Sequence, residues 1–424
     1  MRNDGDNLRS SWISITLTAA GLAAAFILLS VLYETHFPIV VERLNVWFGA
    51  DVIRYTEWMQ GEGFRWFLHP VCFVLYRVYG EALAVLGITP TGTSMAVTGL
   101  PVILFTSFGM ALAAGVVLPP GQRSFLRVAG IAAVSLVVGP ALLFGPTPES
   151  HMPGGAALLA EAALLYDGIR GRASGGTRRS ALLRLGYAAF FGVLATGFSI
   201  TNMVPATLLY LPLLAHFELS PREWQVAKRI ARSLAALAVV GVVALVSITH
   251  AWRIRRIMED ESHFTHAPSI RSIAASFDAS TAKQFGVPEI GVSMSDDPIL
   301  PTRGLAPRRQ FAPVPTLAFI LWMAAIVLWY RRPETARWAR HFALASLAAF
   351  LSMVLFYAIY ASHEAFLFSA HSWPFLVAPG LAAIVDSLRT PRRAEVIGFA
   401  AALSLGIIQT VIGVASLFDS FREL

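Results

Sequence analysis

The chain has 424 residues, of which 56% are hydrophobic and only 14% charged, where soluble domains carry about a quarter charged residues. That composition excludes a water-soluble globule, and the single cysteine, Cys72, excludes an intramolecular disulfide framework. The net charge of +7 does not mark a nucleic-acid binder, because the basic residues cluster in short loops between apolar runs, the pattern that orients membrane proteins.

Taken in order, the apolar runs predict about eleven membrane-spanning helices by the ~20-residue criterion. Their limits are 11–33, 95–117, 125–145, 152–168, 181–199, 202–217, 233–250, 313–330, 341–360, 372–387 and 395–417. The first is too long for a signal-peptide core and lacks a small-residue cleavage site, so it reads as a retained helix. The segment 70–88 is also apolar, but Arg77 and Glu81 interrupt it, and it reads as a helix lying on the outer surface.

The charges support that choice. With the N-terminus inside, the inner loops hold Arg123 and Arg127, Arg170 to Arg179, Arg222 to Arg232, Arg331 to Arg340, and Arg389 to Arg393. The short outer loops at 146–152, 200–201 and 361–371 hold no Lys or Arg. Counting 70–88 as a span would invert everything after it and put those arginines outside, against the positive-inside rule. The chain therefore reads as one all-α polytopic transmembrane domain, 1–424, with two long outer segments. The first, 34–94, carries Trp47, Phe48, Trp58, Trp66 and Phe67, as a segment lying at a membrane interface should. The second, 251–312, is polar with basic flanks. No internal repeat and no low-complexity tract stands out.

Four sets of residues have the chemistry for a site. Asp51 follows the first helix within Gly49-Ala50-Asp51-Val52-Ile53-Arg54, and His69-Pro70 follows soon after. A carboxylate beside membrane-surface aromatics suits a general base for a sugar or lipid hydroxyl; it equally suits a cap on a short helix. Pro146-Thr147-Pro148-Glu149-Ser150-His151 places a carboxylate and an imidazole on a proline-fixed turn. They suit orienting an acceptor, binding a metal or holding a phosphate, or Glu149 is a helix N-terminal charge. The stretch 362–374 interleaves His363, Glu364 and His371 with aromatics, which suits a lined pocket or an interfacial belt. Arg303, Arg308 and Arg309 flank the second long segment and suit a lipid-linked phosphate or anionic headgroups. Glu161, within the fourth span, is an intramembrane carboxylate, a costly feature. No Walker loop, dinucleotide fingerprint or metal motif is present.

All four sets fall on one side of the membrane under one topology, whereas a transporter is expected to hold its polar residues near the midplane. The order of these features resembles the polyprenyl-phosphate-dependent glycosyltransferases of the GT-C superfamily. The match covers roughly residues 10 to 200: an inside N-terminus, one helix, a long outer loop with an early Asp, a His-Pro opening an interfacial helix, and a second outer loop with an acid. Val71 stands where that family often has a second proline.

The resemblance implies an inverting transferase in a bacterial inner membrane, with the N-terminus cytoplasmic and the site on the periplasmic side. Asp51 would be the catalytic base, with Arg54, His69, Glu149, His151, His363, Glu364, His371, Arg308 and Arg309 binding substrate. The partners would be a polyprenyl-phosphate sugar donor, membrane lipids, and a lipid, glycan or protein acceptor. No cofactor and no metal is expected, because the second outer loop reads Pro-Glu-Ser-His and lacks an Asp-containing metal motif. An O-antigen polymerase or ligase, in which the loop arginines matter more than Asp51, and a lipid or sugar transporter, in which Glu161 is essential, are the competing expectations.

Overall fold

The computed structural model describes residues 4–36, 52–60, 69–89, 94–173, 177–214, 267, 269–294, 303–308, 311–360 and 365–421. The long helices are α1 (Asp4–His36), α2 (Val52–Met59), α3 (Pro70–Val85), α4 (Met95–Val117), α5 (Phe125–Val137), α6 (His151–Ala173), α7 (Arg178–Phe198) and α8 (Met203–Leu214). After α9 (Ile270–Ser280) come the strands β1 (Ile290–Met294) and β2 (Arg303–Pro307). The chain closes with α10 (Pro313–Arg331), α11 (Arg337–Ile359), α12 (Trp373–Arg389) and α13 (Arg393–Phe421). The chain is predominantly helical, and among the described residues five helices, α1, α4, α10, α11 and α13, are long and apolar enough to cross a membrane. The predicted span 233–250 lies outside the described residues.

α6 is the axle of the bundle. Every residue from His151 to Ile169 is buried, beneath α4, α7, α8, α11 and α12. A helix surrounded by helices needs small residues where backbones meet. Gly155 supplies one such contact, since a Cβ there would lie 2.0 Å from the Ala370 carbonyl oxygen. Ala156 supplies another, its backbone facing Gly109 of α4.

The predicted span 125–145 is not one helix. α5 stops at Val137, Gly139 takes φ +152°, and only a single turn, Ala141–Phe144, follows. Pro140 is the cause, having no N–H to donate and a ring that collides with the preceding turn. The backbone groups freed at this break find partners in the second long segment. Gly139 N donates to Gln284 O at 2.7 Å, and Gly286 N donates to Val137 O at 2.9 Å. Gly286 has φ +82° and approaches the backbone of Gly406 in α13 too closely for any side chain. The segment read as a polar outer loop thus sends 284–286 into the bundle, where irregular backbone is tolerated because protein satisfies it. It also forms the hairpin β1–β2, antiparallel with Ile290 opposite Pro307, the one departure from helix among the described elements.

The segment 70–88 forms the expected helix, α3, over Pro70–Val85. Cys72, Tyr76, Gly80 and Leu83 form its buried stripe, while Val74, Val78 and Val85 are exposed on the other side. Gly80 lets α2 lie directly on it, as a Cβ would meet the Met59 carbonyl oxygen at 2.3 Å.

The two ends of the bundle differ. At the end where α6 finishes, Asp167 receives Arg170 at 2.5 Å, Arg184 at 3.1 Å and Arg123 at 3.8 Å. Arg170 and Arg123 also donate to the last carbonyls of α4, those of Val116, Val117 and Leu118. Burial pulls the Arg123 guanidinium below its usual range, against the Asp167 charge that raises it. Arg332 pairs with Glu395 at the same end, in a buried contact that also includes Ser387. The opposite end carries His69, His151 and His371.

Candidate functional site

The site is built from the turns that open and close helices at one end of the bundle. Glu149 and Ser150 end the proline-fixed turn before α6, His151 opens α6, His69 precedes α3, and His371 closes the turn Ser369–His371 that leads into α12. Glu149, His151 and His371 are all under 8% exposed.

Glu149 is the anchor. Its Oε1 accepts from the Tyr55 hydroxyl (3.1 Å), the Ser150 amide (2.7 Å), the Ser150 hydroxyl (3.1 Å) and the His151 amide (3.3 Å). The two amides lie at the start of α6, where N–H groups have no intrahelical acceptor, so the carboxylate caps its own helix and meets the positive end of its dipole. Both readings offered by the sequence therefore hold at once: Glu149 is a helix-terminal charge and the centre of a polar site. Tyr55 comes from α2, which begins one residue after Asp51. Burial, reinforced by the Glu149 charge, pushes the Tyr55 phenol well up, so it serves as a donor. Burial likewise raises the Cys72 thiol and the Tyr76 phenol beneath it.

His69 Nδ1 lies 2.7 Å from the carbonyl oxygen of Phe198, at the end of α7, and 3.0 Å from the Ser150 hydroxyl. The carbonyl only accepts, so Nδ1 carries the proton. The ring stacks at an angle near Trp58, with centroids 6.1 Å apart, and edge-on to His151 at 5.7 Å.

His151 links the anchor to a deeper pair. Its Nε2 lies 3.6 Å from Glu149 Oε1, and its Nδ1 lies 3.0 Å from His371 Nε2. His371 Nδ1 in turn lies 2.5 Å from the Tyr357 hydroxyl and 3.4 Å from that of Thr201. Burial, then the neighbouring His151 and His69, hold the His371 imidazole well below its ordinary range, so it is neutral. A neutral His371 takes opposite roles at its two nitrogens, which leaves two orders of protons. Either the Tyr357 hydroxyl donates to His371 Nδ1 and His371 Nε2–H donates to His151 Nδ1, or His151 Nδ1–H donates to His371 Nε2 and His371 Nδ1–H donates to the Tyr357 oxygen. The two nitrogens of His151 point to different partners, so the ring bridges Glu149 and His371 and does not chelate with them; no metal-binding group of three is found among the described residues.

No protein-family model matches the chain, and no curated protein matches it significantly.

The structure brings together four candidates named from the sequence: His69, Glu149, His151 and His371. Arg308 is elsewhere, following β2 and lying over Gly291 of β1. Arg54 sits on α2, with its side chain outside the description, and Asp51, His363, Glu364 and Arg309 lie outside the described residues. Sequence reasoning missed Tyr55, Ser150, Thr201 and Tyr357 as members. Ser150 stood inside a quoted motif and Tyr55 directly follows another, but Tyr357 lies within an apolar span where nothing distinguishes it from a packing aromatic.

Glu161 is separate from this network. It is fully buried in the middle of α6, and its carboxylate faces the Tyr210 hydroxyl of α8. Gly192 of α7 makes room for it, since a Cβ there would lie 2.5 Å from Glu161 Oε1.

Proposed function

We propose that this chain is an inverting glycosyltransferase of the GT-C kind. It moves a sugar from a polyprenyl-phosphate donor to a lipid, glycan or protein acceptor at the outer face of a bacterial inner membrane. This reading carries with it about eleven spans, a cytoplasmic N-terminus and a periplasmic site. The observation that carries it is the convergence of His69, Glu149, His151 and His371 into one hydrogen-bonded network, at the bundle end where α2 starts one residue after Asp51.

In this mechanism Asp51 takes the proton of the acceptor hydroxyl as its oxygen bonds to the anomeric carbon. The bond from that carbon to the phosphate oxygen breaks, and its electron pair leaves with the phosphate, which needs no proton. Arginine and imidazole donors meet the departing charge. Glu149 Oε1 is already filled by four donors, so it fixes the walls of the site and leaves proton removal to Asp51.

One observation favours a second reading, a lipid or sugar transporter: the fully buried Glu161 in the middle of α6 is the kind of group that transport pathways use. Sugar transfer measured in membranes with radiolabelled polyprenyl-phosphate sugars separates the two. The transferase reading expects wild type to transfer label and Asp51→Asn to lose at least about 100-fold, the scale of a general base. Equal activity in Asp51→Asn removes Asp51 from the mechanism.

A further inference from the structure

An apolar fissure of about 300 Å³ opens between α10, α11 and α12. It lies along the half of α10 that ends at Arg331. Met323, Val327, Leu344, Leu347, Phe375 and Pro379 line it, with Tyr330 and Arg331 at its basic end. Val327, Leu344 and Leu347 are each more than 40% exposed, so the fissure faces sideways, toward what surrounds the bundle. Pro379 contributes to it by interrupting the ladder of α12.

Water has little reason to fill such a space. Its walls offer almost no hydrogen-bond partners, and apolar cavities of this kind stay dry or take apolar ligands. Arg331 sets what that ligand carries. Its neighbours are engaged: Arg332 pairs with Glu395, Arg340 donates to the Arg332 carbonyl and lies over the Tyr330 ring, and Arg392 pairs with Glu334. Arg331 is exposed and makes no ion pair among the described residues. An unpaired guanidinium at the mouth of a dry, chain-wide slot is complementary to a molecule with an apolar tail and an anionic head.

We propose that this fissure binds one acyl chain of an anionic phospholipid, whose phosphate is held by Arg331. The inference rests on the membrane-spanning reading and not on the transferase reading. Anionic headgroups gain about 1 kcal/mol from each nearby basic residue, a factor of about fivefold in retention.

The test is native mass spectrometry of the purified full chain. The protein is first equilibrated in mixed micelles of phosphatidylglycerol, phosphatidylcholine and undecaprenyl phosphate in equal amounts. Wild type is expected to retain one phosphatidylglycerol about fivefold over phosphatidylcholine. Arg331→Gln should retain lipid but lose the preference, and Leu347→Trp, which fills the slot, should lose the retained lipid. Monodisperse elution and an unchanged melting temperature establish that each variant is folded; Leu344→Phe replaces Leu347→Trp if the latter is not. Equal retention of both phospholipids by wild type, or retention unchanged in the folded slot-filling variant, overturns the proposal. Preferential retention of undecaprenyl phosphate that is lost in Leu347→Trp also overturns it, by making the fissure a seat for an isoprenoid.

Discussion

His151 and His371, 220 positions apart in the chain, face each other with Nδ1 of the first 3.0 Å from Nε2 of the second. The contact joins the start of α6 to the turn before α12, and through Glu149 and Tyr357 it extends to α2 and α11. Its surroundings set the state of the second ring: His371 is fully buried and held neutral.

That arrangement makes stability depend on pH. The folded His371 refuses a proton that the unfolded chain binds below about pH 6.5. Below that value the unfolded state therefore holds more protons, and stability falls as pH falls, by up to about 1.4 kcal/mol per pH unit. Unfolding in detergent followed across about pH 5 to 7.5 should show this slope, and His371→Phe should flatten it. An equal slope in the variant would assign the proton to another group.

Glu149 gathers four donors onto one oxygen. Glu149→Ala takes the acceptor from the Tyr55 hydroxyl and the His151 amide, while the Ser150 amide keeps the Tyr55 oxygen, and should cost roughly 2–4 kcal/mol. Glu149→Gln keeps an acceptor oxygen and should cost about half as much. Melting temperatures of the two variants check the order; a Gln variant as damaged as Ala would mean that the charge, and not the acceptor, matters.

Gly155 sets the seat of His371. Gly155→Ala places a methyl 2.0 Å from the Ala370 carbonyl oxygen, and should lift the 369–371 turn off α6 at a cost of about 1–3 kcal/mol. Gly186→Ala on α7, which meets nothing within 4 Å, is the matched control and should be neutral or slightly stabilising. Imidazole ¹⁵N spectra should lose the coupled His151–His371 signature only in the first.

At the opposite end, Asp167 answers three arginines. Asp167→Asn leaves Arg123, Arg170 and Arg184 facing one another and should cost roughly 3–5 kcal/mol. Arg184→Gln, the most exposed of the three at 30%, should cost under about 1 kcal/mol. Unfolding measurements on the pair test whether the cluster clamps α4, α6 and α7.

Orientation is open to single-cysteine labelling in a Cys72→Ala background. Ile88→Cys, after α3, should react with a membrane-impermeant maleimide on intact cells. Gly121→Cys, between α4 and α5, should react only after permeabilisation. The reverse pattern would invert the topology.

Much of this architecture was legible because apolar length is a strong signal. α4 spans 95–117 residue for residue as predicted, helped by Ser94 as its cap, and 70–88 was rightly read as a helix, observed over Pro70–Val85. The break at Gly139-Pro140 was written in the sequence but read as part of a span, because hydropathy does not register a missing N–H. The descent of 284–286 into the bundle was not legible at all: Gln284 and Gly286 look like loop residues until their partners, Gly139 and Val137, are known. At the site, His69, Glu149, His151 and His371 stood out as titratable residues on short turns. Tyr357 did not, because its role is set by a histidine 14 residues later that only folding brings beside it.

The most direct test of the central claim is photolabelling with a diazirine-bearing polyprenyl-phosphate sugar, followed by mapping of the modified residues. The glycosyltransferase account predicts label at the histidine end, on 52–60, 69–76 and 147–152, competed by unlabelled donor and retained in Asp51→Asn, which still binds but does not turn over. Label confined to the middle of α6 around Glu161, with none at the histidine end, would contradict the account and favour transport.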